Sequence, residues 1–212
     1  MTLYSFLLTI VKYLLIIING KQLVIGKENI PEDVAIIAST HRHWLDPIIL
    51  ALAFPDKEIA FMAKDTLFKN SIIRQILTKI NVFPVNREKP SAKSLRHAIT
   101  VMNEEDKYLG IFPTGSRYST EVKGGTAFIQ RLSKKNIIPV AVQPPMSWKE
   151  LFARKQIKVA IGPAIKYDEA EAKDKDKMKK VDQNITEAFA ELDKQLDPNY
   201  VYVPKKKTDS QA

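Results

Sequence analysis

The 212-residue sequence contains no cysteine, which excludes disulfides, thiolate nucleophiles and cysteine-ligated zinc sites. Glycine is also scarce, at seven residues, and no Pro/Gly/Ser-rich linker, low-complexity tract or internal repeat divides the chain. Acidic residues are the minority, since 24 Asp and Glu stand against 33 Lys and Arg for a formal net charge of +9. The length is typical of a single domain. The positive net charge indicates a polyanionic partner: anionic lipid, a phosphorylated substrate or nucleic acid.

The apolar run at the start of the chain is a little shorter than the roughly 20 residues that a spanning helix needs. It reads "MTLYSFLLTIVKYLLIIING", and its polar residues Thr2, Ser5, Thr9, Lys12 and Asn19 recur at steps of three and four, with one apolar break at Ile16. This stripe predicts a helix that lies in one leaflet, or docks the stripe onto its own domain, in preference to a lipid-exposed span. A cleaved signal peptide is disfavoured, because no basic segment precedes the run and no small-x-small site follows it. Lysines just after the helix place the remainder on the cytoplasmic face of the cell membrane by the positive-inside tendency.

Short apolar strands alternate with amphipathic helices after residue 20. Strands are predicted at 21–25, 34–39, 58–63, 81–85, 108–112, 136–143 and 157–162, with helices at 47–54, 66–80, 91–102, 124–134 and 181–196. The alternation predicts an α/β fold, a single domain with a mixed, largely parallel sheet covered by helices. We divide the chain into an N-terminal membrane-associated helix at 1–20, the α/β domain at 21–203 and a flexible basic tail at 204–212. Sites in such sheets collect where strands pass into loops and helices.

Titratable residues are concentrated in "ASTHRHWLDP" at 38–47, directly after a predicted strand. The Asp46-Pro47 pair predicts a helix start with Asp46 as the N-cap, which leaves His41 in the preceding loop. Such a loop can bring the Asp46 carboxylate to one imidazole nitrogen, so that the other nitrogen takes a proton from a substrate hydroxyl. This is the His-Asp half of a hydrolase triad without a nucleophile elbow. The residues alone leave open that Asp46 is only an N-cap and His41 only a loop residue.

A second feature is a set of cations and glycines at predicted strand ends. Four of the seven glycines lie within "GIFPTGSRYSTEVKGG" at 110–125, which also contains Arg117. Arg87 follows the strand in "FPVNR", and Lys64 ends the strand in "FMAK". Exposed backbone N–H groups and guanidinium groups bind anions, so these residues predict one phosphate pocket on the same side of the sheet as His41. Solvated basic residues beside turns are the alternative interpretation.

Four ordered blocks resemble those of the glycerolipid acyltransferases: "THRHWLDP", "VFPVNR", "IFPTGSR" and "IIPVAV", between residues 40 and 142. The resemblance implies an α/β domain with a membrane-embedded N-terminal helical element. It also implies transfer of a fatty acyl group from a thioester, carried by acyl carrier protein or coenzyme A, to the sn-2 hydroxyl of lysophosphatidic acid. Glycerol 3-phosphate or another lysolipid is the alternative acceptor, and a noncatalytic basic module on lipid or nucleic acid is the alternative of another class.

The same resemblance implies roles for individual residues. His41 is the general base and Asp46 its orienting partner, while Arg87, Arg117 and Lys64 lie near the acceptor's phosphate. The implied partners are membrane lipid, an anionic bilayer surface and acyl carrier protein, and not nucleic acid. No acyl-enzyme, resident cofactor or metal is implied.

The block "IFPTGSR" also concerns the oxyanion that forms when the thioester is attacked. Backbone N–H groups of Gly115 and Ser116 are the expected donors to it. The family usually has Glu after Phe-Pro, whereas this chain has Thr114 there. The substitution makes the expected pocket more positive and removes a carboxylate that could position the acceptor.

Overall fold

The core of the protein is one twisted sheet with a single antiparallel pair. The structure, a computed structural model, describes residues 2–86, 91–169 and 175–204. Within them the sheet order is β1-β7-β6-β2-β5-β3-β4, and every neighbouring pair is parallel except β6 with β7. The strands are β1 (Leu23–Ile25), β2 (Ile36–Ser39), β3 (Ile59–Lys64), β4 (Val82–Val85), β5 (Tyr108–Ile111), β6 (Ile137–Gln143) and β7 (Lys158–Ile161). The predicted α/β fold with a mixed, largely parallel sheet is confirmed.

Helices cover the sheet, because strands buried on both faces need a layer on each side. The helices are α1 (Leu3–Asn19), α2 (Asp46–Ala53), α3 (Ser71–Lys79), α4 (Ala92–Asn103), α5 (Gly125–Ser133), α6 (Trp148–Phe152) and α7 (Lys175–Leu196). The helices α4, α5 and α7 pack side by side and on the sheet. A separate set of contacts joins α1 to α2 and α6. All residues of β2, β5 and β6 are buried, which explains their continuous apolar sequences.

One helix prediction was wrong, and one short helix was missed. The helix expected at 66–80 is divided into a short 3-10 turn, Asp65–Phe68, and α3. Asn70 makes the division, because its side-chain oxygen accepts from Ile72 N and Ile73 N and so begins a new helix. The one-turn helix α6 was not predicted, since five residues are too few to show a helical period.

Helix α1 docks on the domain mainly through apolar residues. Leu8, Leu15 and Ile18 pack against the main core, and the buried Asn19 amide donates to Leu151 O (2.9 Å) and Lys155 O (3.1 Å) of the α6 segment. Docking through the polar stripe occurs only at its ends, by Asn19 and by the Thr2 hydroxyl, which donates to Glu58 Oε1 at 2.8 Å, whereas Thr9 and Lys12 are exposed. No helix within the described residues combines the length and apolar character required to cross a membrane.

The strand register determines where the functional side chains meet. Because β2, β3, β4, β5 and β6 run parallel, their carboxyl ends lie at one edge of the sheet. His41 follows β2, Lys64 ends β3, and the segment 112–117 follows β5. The predicted site residues of the described chain therefore share one edge, as expected for an α/β sheet.

Candidate active site

The imidazole of His41 and the carboxylate of Asp46 form a close pair. Nδ1 of His41 lies 3.0 Å from Oδ2 of Asp46, and the side chains are 9% and 0% exposed. The His41 ring stacks on Phe112 with 4.2 Å between ring centroids. With Nδ1 protonated toward the carboxylate, Nε2 is left with a lone pair to accept a proton. No hydrogen-bond partner is recorded for Nε2 among the described residues.

Asp46 is not the N-cap that the sequence suggested. It is the first residue of α2, and the cap position is occupied by Leu45. Its Oδ2 also accepts from Arg42 N (2.5 Å) and His43 N (2.7 Å), so one carboxylate oxygen holds both the loop and the imidazole. The N-cap prediction was wrong because the carboxylate turns back toward the loop and not toward the first turn of α2.

Arg42 fixes the same loop to distant parts of the chain. Its guanidinium donates to Val142 O (2.6 Å) at the end of β6 and makes a two-pronged ion pair with Asp193 of α7. Its carbon centre lies 4.9 Å from the ring centre of Tyr200 and 5.3 Å from that of Tyr202. A buried guanidinium needs such partners. Sequence reasoning missed this role, because the partners are 100 or more residues away.

The C-terminal segment lies over the site. Burial raises the pKa of the Tyr202 phenol, and this phenol donates to Arg117 O at 2.6 Å. Arg117, half-buried, places its guanidinium 5.9 Å from the Tyr118 ring centre. Tyr200 and Tyr202 thus contact the site region, and residues 205–212 of the predicted flexible tail lie outside the described residues.

The turn after β5 was predicted to supply backbone donors. Gly115 has a φ of 69°, which favours glycine, and its N–H donates to Phe112 O at 2.8 Å. The Thr114 hydroxyl donates to Ser116 O at 2.9 Å. The Gly115 amide is therefore engaged within the turn, whereas no acceptor is recorded for the Ser116 amide among the described residues.

The cations of the site include one that sequence reasoning missed. The Lys123 ammonium lies near this turn, because a Cβ built on Gly115 would be 3.9 Å from Nζ. Lys64 is half-buried at the end of β3. Arg87 lies outside the described residues. Lys123 precedes the "GG" of the glycine-rich window, which was the only sequence signal for it.

An apolar crevice of about 130 Å³ adjoins the turn after β5. Its walls include Met62, Val85, Phe112 and Ile129, and Lys123 lies at its margin. Phe112 belongs both to this crevice and to the stack on His41. Phe112 therefore connects the crevice to the imidazole, and the apolar walls suit a substrate with a hydrocarbon part.

Comparison with known proteins identifies the class. A family model described as Acyltransferase matches residues 21–143, more than half of the chain. The chain therefore belongs to the acyltransferase family, as its four blocks predicted, and it is an enzyme. The crystal structure of the 1-acyl-sn-glycerophosphate (LPA) acyltransferase from Thermotoga maritima has the same fold. Its TM-score is 0.68 at 18% identity, with 94% of this chain and 81% of that chain covered.

Two curated relatives are similar over most of the chain. Both are named 1-acyl-sn-glycerol-3-phosphate acyltransferase. The protein from Bacillus subtilis (strain 168) is 36% identical over 198 residues, which cover 92% of this chain and 98% of the relative. The protein from Streptococcus pneumoniae (strain ATCC BAA-255 / R6) is 34% identical over 194 residues, 91% of this chain and 74% of the relative.

Proposed function

We propose that this acyltransferase moves a fatty acyl group from a thioester donor to the sn-2 hydroxyl of lysophosphatidic acid and so forms phosphatidic acid. The observation that carries the proposal is the His41 imidazole held by Asp46 and connected through Phe112 to an apolar crevice. The names of the two relatives support the choice of acceptor. Either acyl carrier protein or coenzyme A can present the thioester, since both carry the acyl group on a thiol.

In the proposed mechanism His41 is the general base. Asp46 holds Nδ1–H, so Nε2 accepts the proton of the acceptor hydroxyl as the hydroxyl oxygen bonds to the thioester carbonyl carbon. The tetrahedral intermediate collapses with cleavage of the carbon–sulfur bond, and the departing thiolate takes the proton from Nε2. The charge of Asp46 stabilises the transient imidazolium. No acyl-enzyme is required, because the nucleophile comes from the acceptor.

The oxyanion and the phosphate need positive partners. We assign the Ser116 N–H to the oxyanion, since the Gly115 N–H is engaged with Phe112 O. Arg117, Lys64 and the sequence-implied Arg87 would bind the acceptor's phosphate. Lys123 adds a further cation beside the turn. Thr114, bonded within the turn, replaces a carboxylate that would repel the phosphate.

The proposed location is the cytoplasmic face of the cell membrane, with α1 lying in one leaflet. The support is the outer face of α1, where each side chain is at least 42% exposed: Leu3, Phe6, Ile10, Tyr13, Leu14 and Ile17. The double variant Ile10→Ser with Ile17→Ser tests this location. It leaves the docked face of α1 intact, so the chain should fold normally. We expect the variant to dissociate from anionic vesicles at a lower salt concentration than the unmodified protein, because its remaining attraction to the lipid is a charge interaction that salt screens. Unchanged sedimentation would contradict this location.

Product analysis tests the reaction. Purified protein is incubated with acyl coenzyme A or acyl carrier protein and with either lysophosphatidic acid or glycerol 3-phosphate, and the lipids are identified by mass spectrometry. We expect phosphatidic acid from lysophosphatidic acid, and a loss of about 10²–10⁴-fold in rate for His41→Ala. Acylation of glycerol 3-phosphate alone, or a His41→Ala variant with normal turnover, would refute the proposal.

A further inference from the structure

Three exposed aromatic side chains lie together beside the active-site loop and have no role in the mechanism above. Trp44, Trp148 and Phe152 are 46%, 60% and 64% exposed. The Trp44 and Trp148 ring centres are 5.6 Å apart, and those of Trp148 and Phe152 are 6.2 Å apart. We refer to these three residues as the aromatic cluster. Exposed aromatic groups of this size mark a surface that another phase or molecule covers.

The cluster has a fixed relation to the catalytic pair. Trp44 is one of the four residues between His41 and Asp46, and the Asp46 carboxylate holds the backbone of this loop. Ser147 caps α6 by accepting from Glu150 N at 3.2 Å, and Leu151 is buried on the inner side of the helix. The aromatic rings are therefore presented outward by a rigid base.

The cluster also adjoins the end of α1. Besides the Asn19 bonds to the α6 segment, Arg154 donates to Ile17 O at 2.7 Å. Ile17 is the last residue of the outer face of α1 and is 69% exposed. At about 1.5 Å per residue, the 17-residue helix is about 25 Å long. The outer face of α1 thus ends beside α6, and the aromatic cluster extends from α6 to the loop of His41.

Charge around the cluster identifies the kind of surface that covers it. Lys149, Arg154 and Lys155 are exposed on the α6 segment. Glu150 is occupied by Met146 N and Lys155, and these bonds lower its pKa. Tryptophan beside basic residues suits the boundary between headgroups and acyl chains of an anionic bilayer. A second copy of this chain fits less well, because pairing the surface with itself would bring these like charges together.

We infer that the aromatic cluster is a second membrane contact, which enters the bilayer interface and holds the mouth of the His41 site against the lipid surface. The inference rests on the proposed function, because it supposes an acceptor whose chain is embedded in the bilayer. Anchoring by α1 alone would let the domain tilt about the helix. Contacts through both the outer face of α1 and the aromatic cluster fix the orientation of the domain on the bilayer. The acceptor hydroxyl then reaches Nε2 without extraction of the lipid.

Tryptophan fluorescence gives a direct test, because the chain has two tryptophans and both belong to the cluster. Trp44→Phe and Trp148→Phe each leave one emitter, and each variant is titrated with vesicles containing phosphatidylglycerol. We expect a blue shift in both, with stronger quenching by lipids brominated near the headgroup than by lipids brominated at the chain end. Emission that stays unshifted and unquenched while the protein sediments with the vesicles would overturn the inference.

A double variant, Trp148→Ser with Phe152→Ser, tests the consequence for activity. Vesicle partitioning should weaken about tenfold or more, and turnover of vesicle-bound lysophosphatidic acid should fall in step. Turnover of a short-chain, soluble acceptor should stay within about twofold of the unmodified protein. The control is Leu132→Ser on α5, which removes an exposed apolar side chain, at 41%, away from the cluster and should change neither rate.

The outcomes separate the two proposals. If the unmodified protein turns over neither acceptor, the proposed function fails. The fluorescence experiment still decides whether the aromatic cluster enters the bilayer, because it does not depend on turnover. If the double variant serves both acceptors as well as the control does, the membrane contact is wrong and the proposed function remains. A spectral shift caused by acyl carrier protein but not by vesicles, or dimerisation lost in the double variant, would assign the surface to another occupant and overturn the inference.

Discussion

The Asp46 carboxylate has two separable tasks, and two substitutions distinguish them. Asp46→Ala removes the acceptor of Arg42 N and His43 N as well as the partner of His41. Asp46→Asn retains an oxygen for the two backbone N–H groups but removes the negative charge beside the imidazole. We therefore expect the alanine variant to lose stability and activity, and the asparagine variant to lose mainly activity.

The magnitudes follow from the burial of this loop. A buried N–H left without an acceptor costs about 1–3 kcal/mol, so two of them cost about 2–6 kcal/mol. At about 2–4 °C per kcal/mol for a chain of this size, the Tm of Asp46→Ala should fall by roughly 4–24 °C. Asp46→Asn should lose only about 1 kcal/mol. Its kcat should nevertheless drop about 10²-fold or more, because no charge orients the imidazole or stabilises the imidazolium.

Thermal unfolding followed by circular dichroism measures the first effect, and release of coenzyme A thiol measures the second. A thiol reagent reports only the product, because the protein has no cysteine. His41→Ala is the control, since it removes the base and leaves both backbone bonds of Asp46 in place. The reasoning is refuted if Asp46→Asn keeps its turnover, or if Asp46→Ala melts at the same temperature as the unmodified protein.

Three further predictions concern binding, pH and packing. Arg117→Ala should raise the KM of the acceptor about tenfold and that of the donor little, with poor rescue by lysine, which lacks the planar fork; equal rises would indicate a structural role. Burial raises the pKa of Asp182 from 3.8 to about 6, so the folded chain binds this proton more tightly and stability falls as pH rises through that window. Asp182→Asn should therefore gain about 1–2 kcal/mol at pH 8, less than the full pKa difference because the side chain is partly exposed. The gain should vanish in melts below pH 4, and a gain that persists there would contradict the assignment. Gly110→Ala should lose about 1–3 kcal/mol in denaturant titrations, because its Cβ would lie 2.3 Å from Phe61; Gly125→Ala, with open space, is the control and should be near neutral.

Local patterns in the sequence were sufficient for the strands, most helices and the pairing of His41 with Asp46. The apolar runs of β2, β5 and β6 are continuous because both of their faces are buried, and burial on both faces is visible residue by residue. His41 and Asp46 are five residues apart, so one loop can join them. The Asp46-Pro47 pair correctly indicated a helix start but wrongly predicted Asp46 as its N-cap. The same carboxylate can accept from the first turn of the helix or from the loop before it, and the sequence does not distinguish the two.

The partners of the site were decided only by the tertiary structure. Arg42 with Asp193 and Arg117 with Tyr202 join residues 151 and 85 positions apart, and such pairs leave no periodic trace in the chain. The docked face of α1 could not be predicted either, because a helix that is apolar on several faces does not reveal which face the domain covers. Packing chose Leu8, Leu15 and Ile18 for the core and left an equally apolar face outward, since the domain can bury one side of a helix and only a further partner can cover the other.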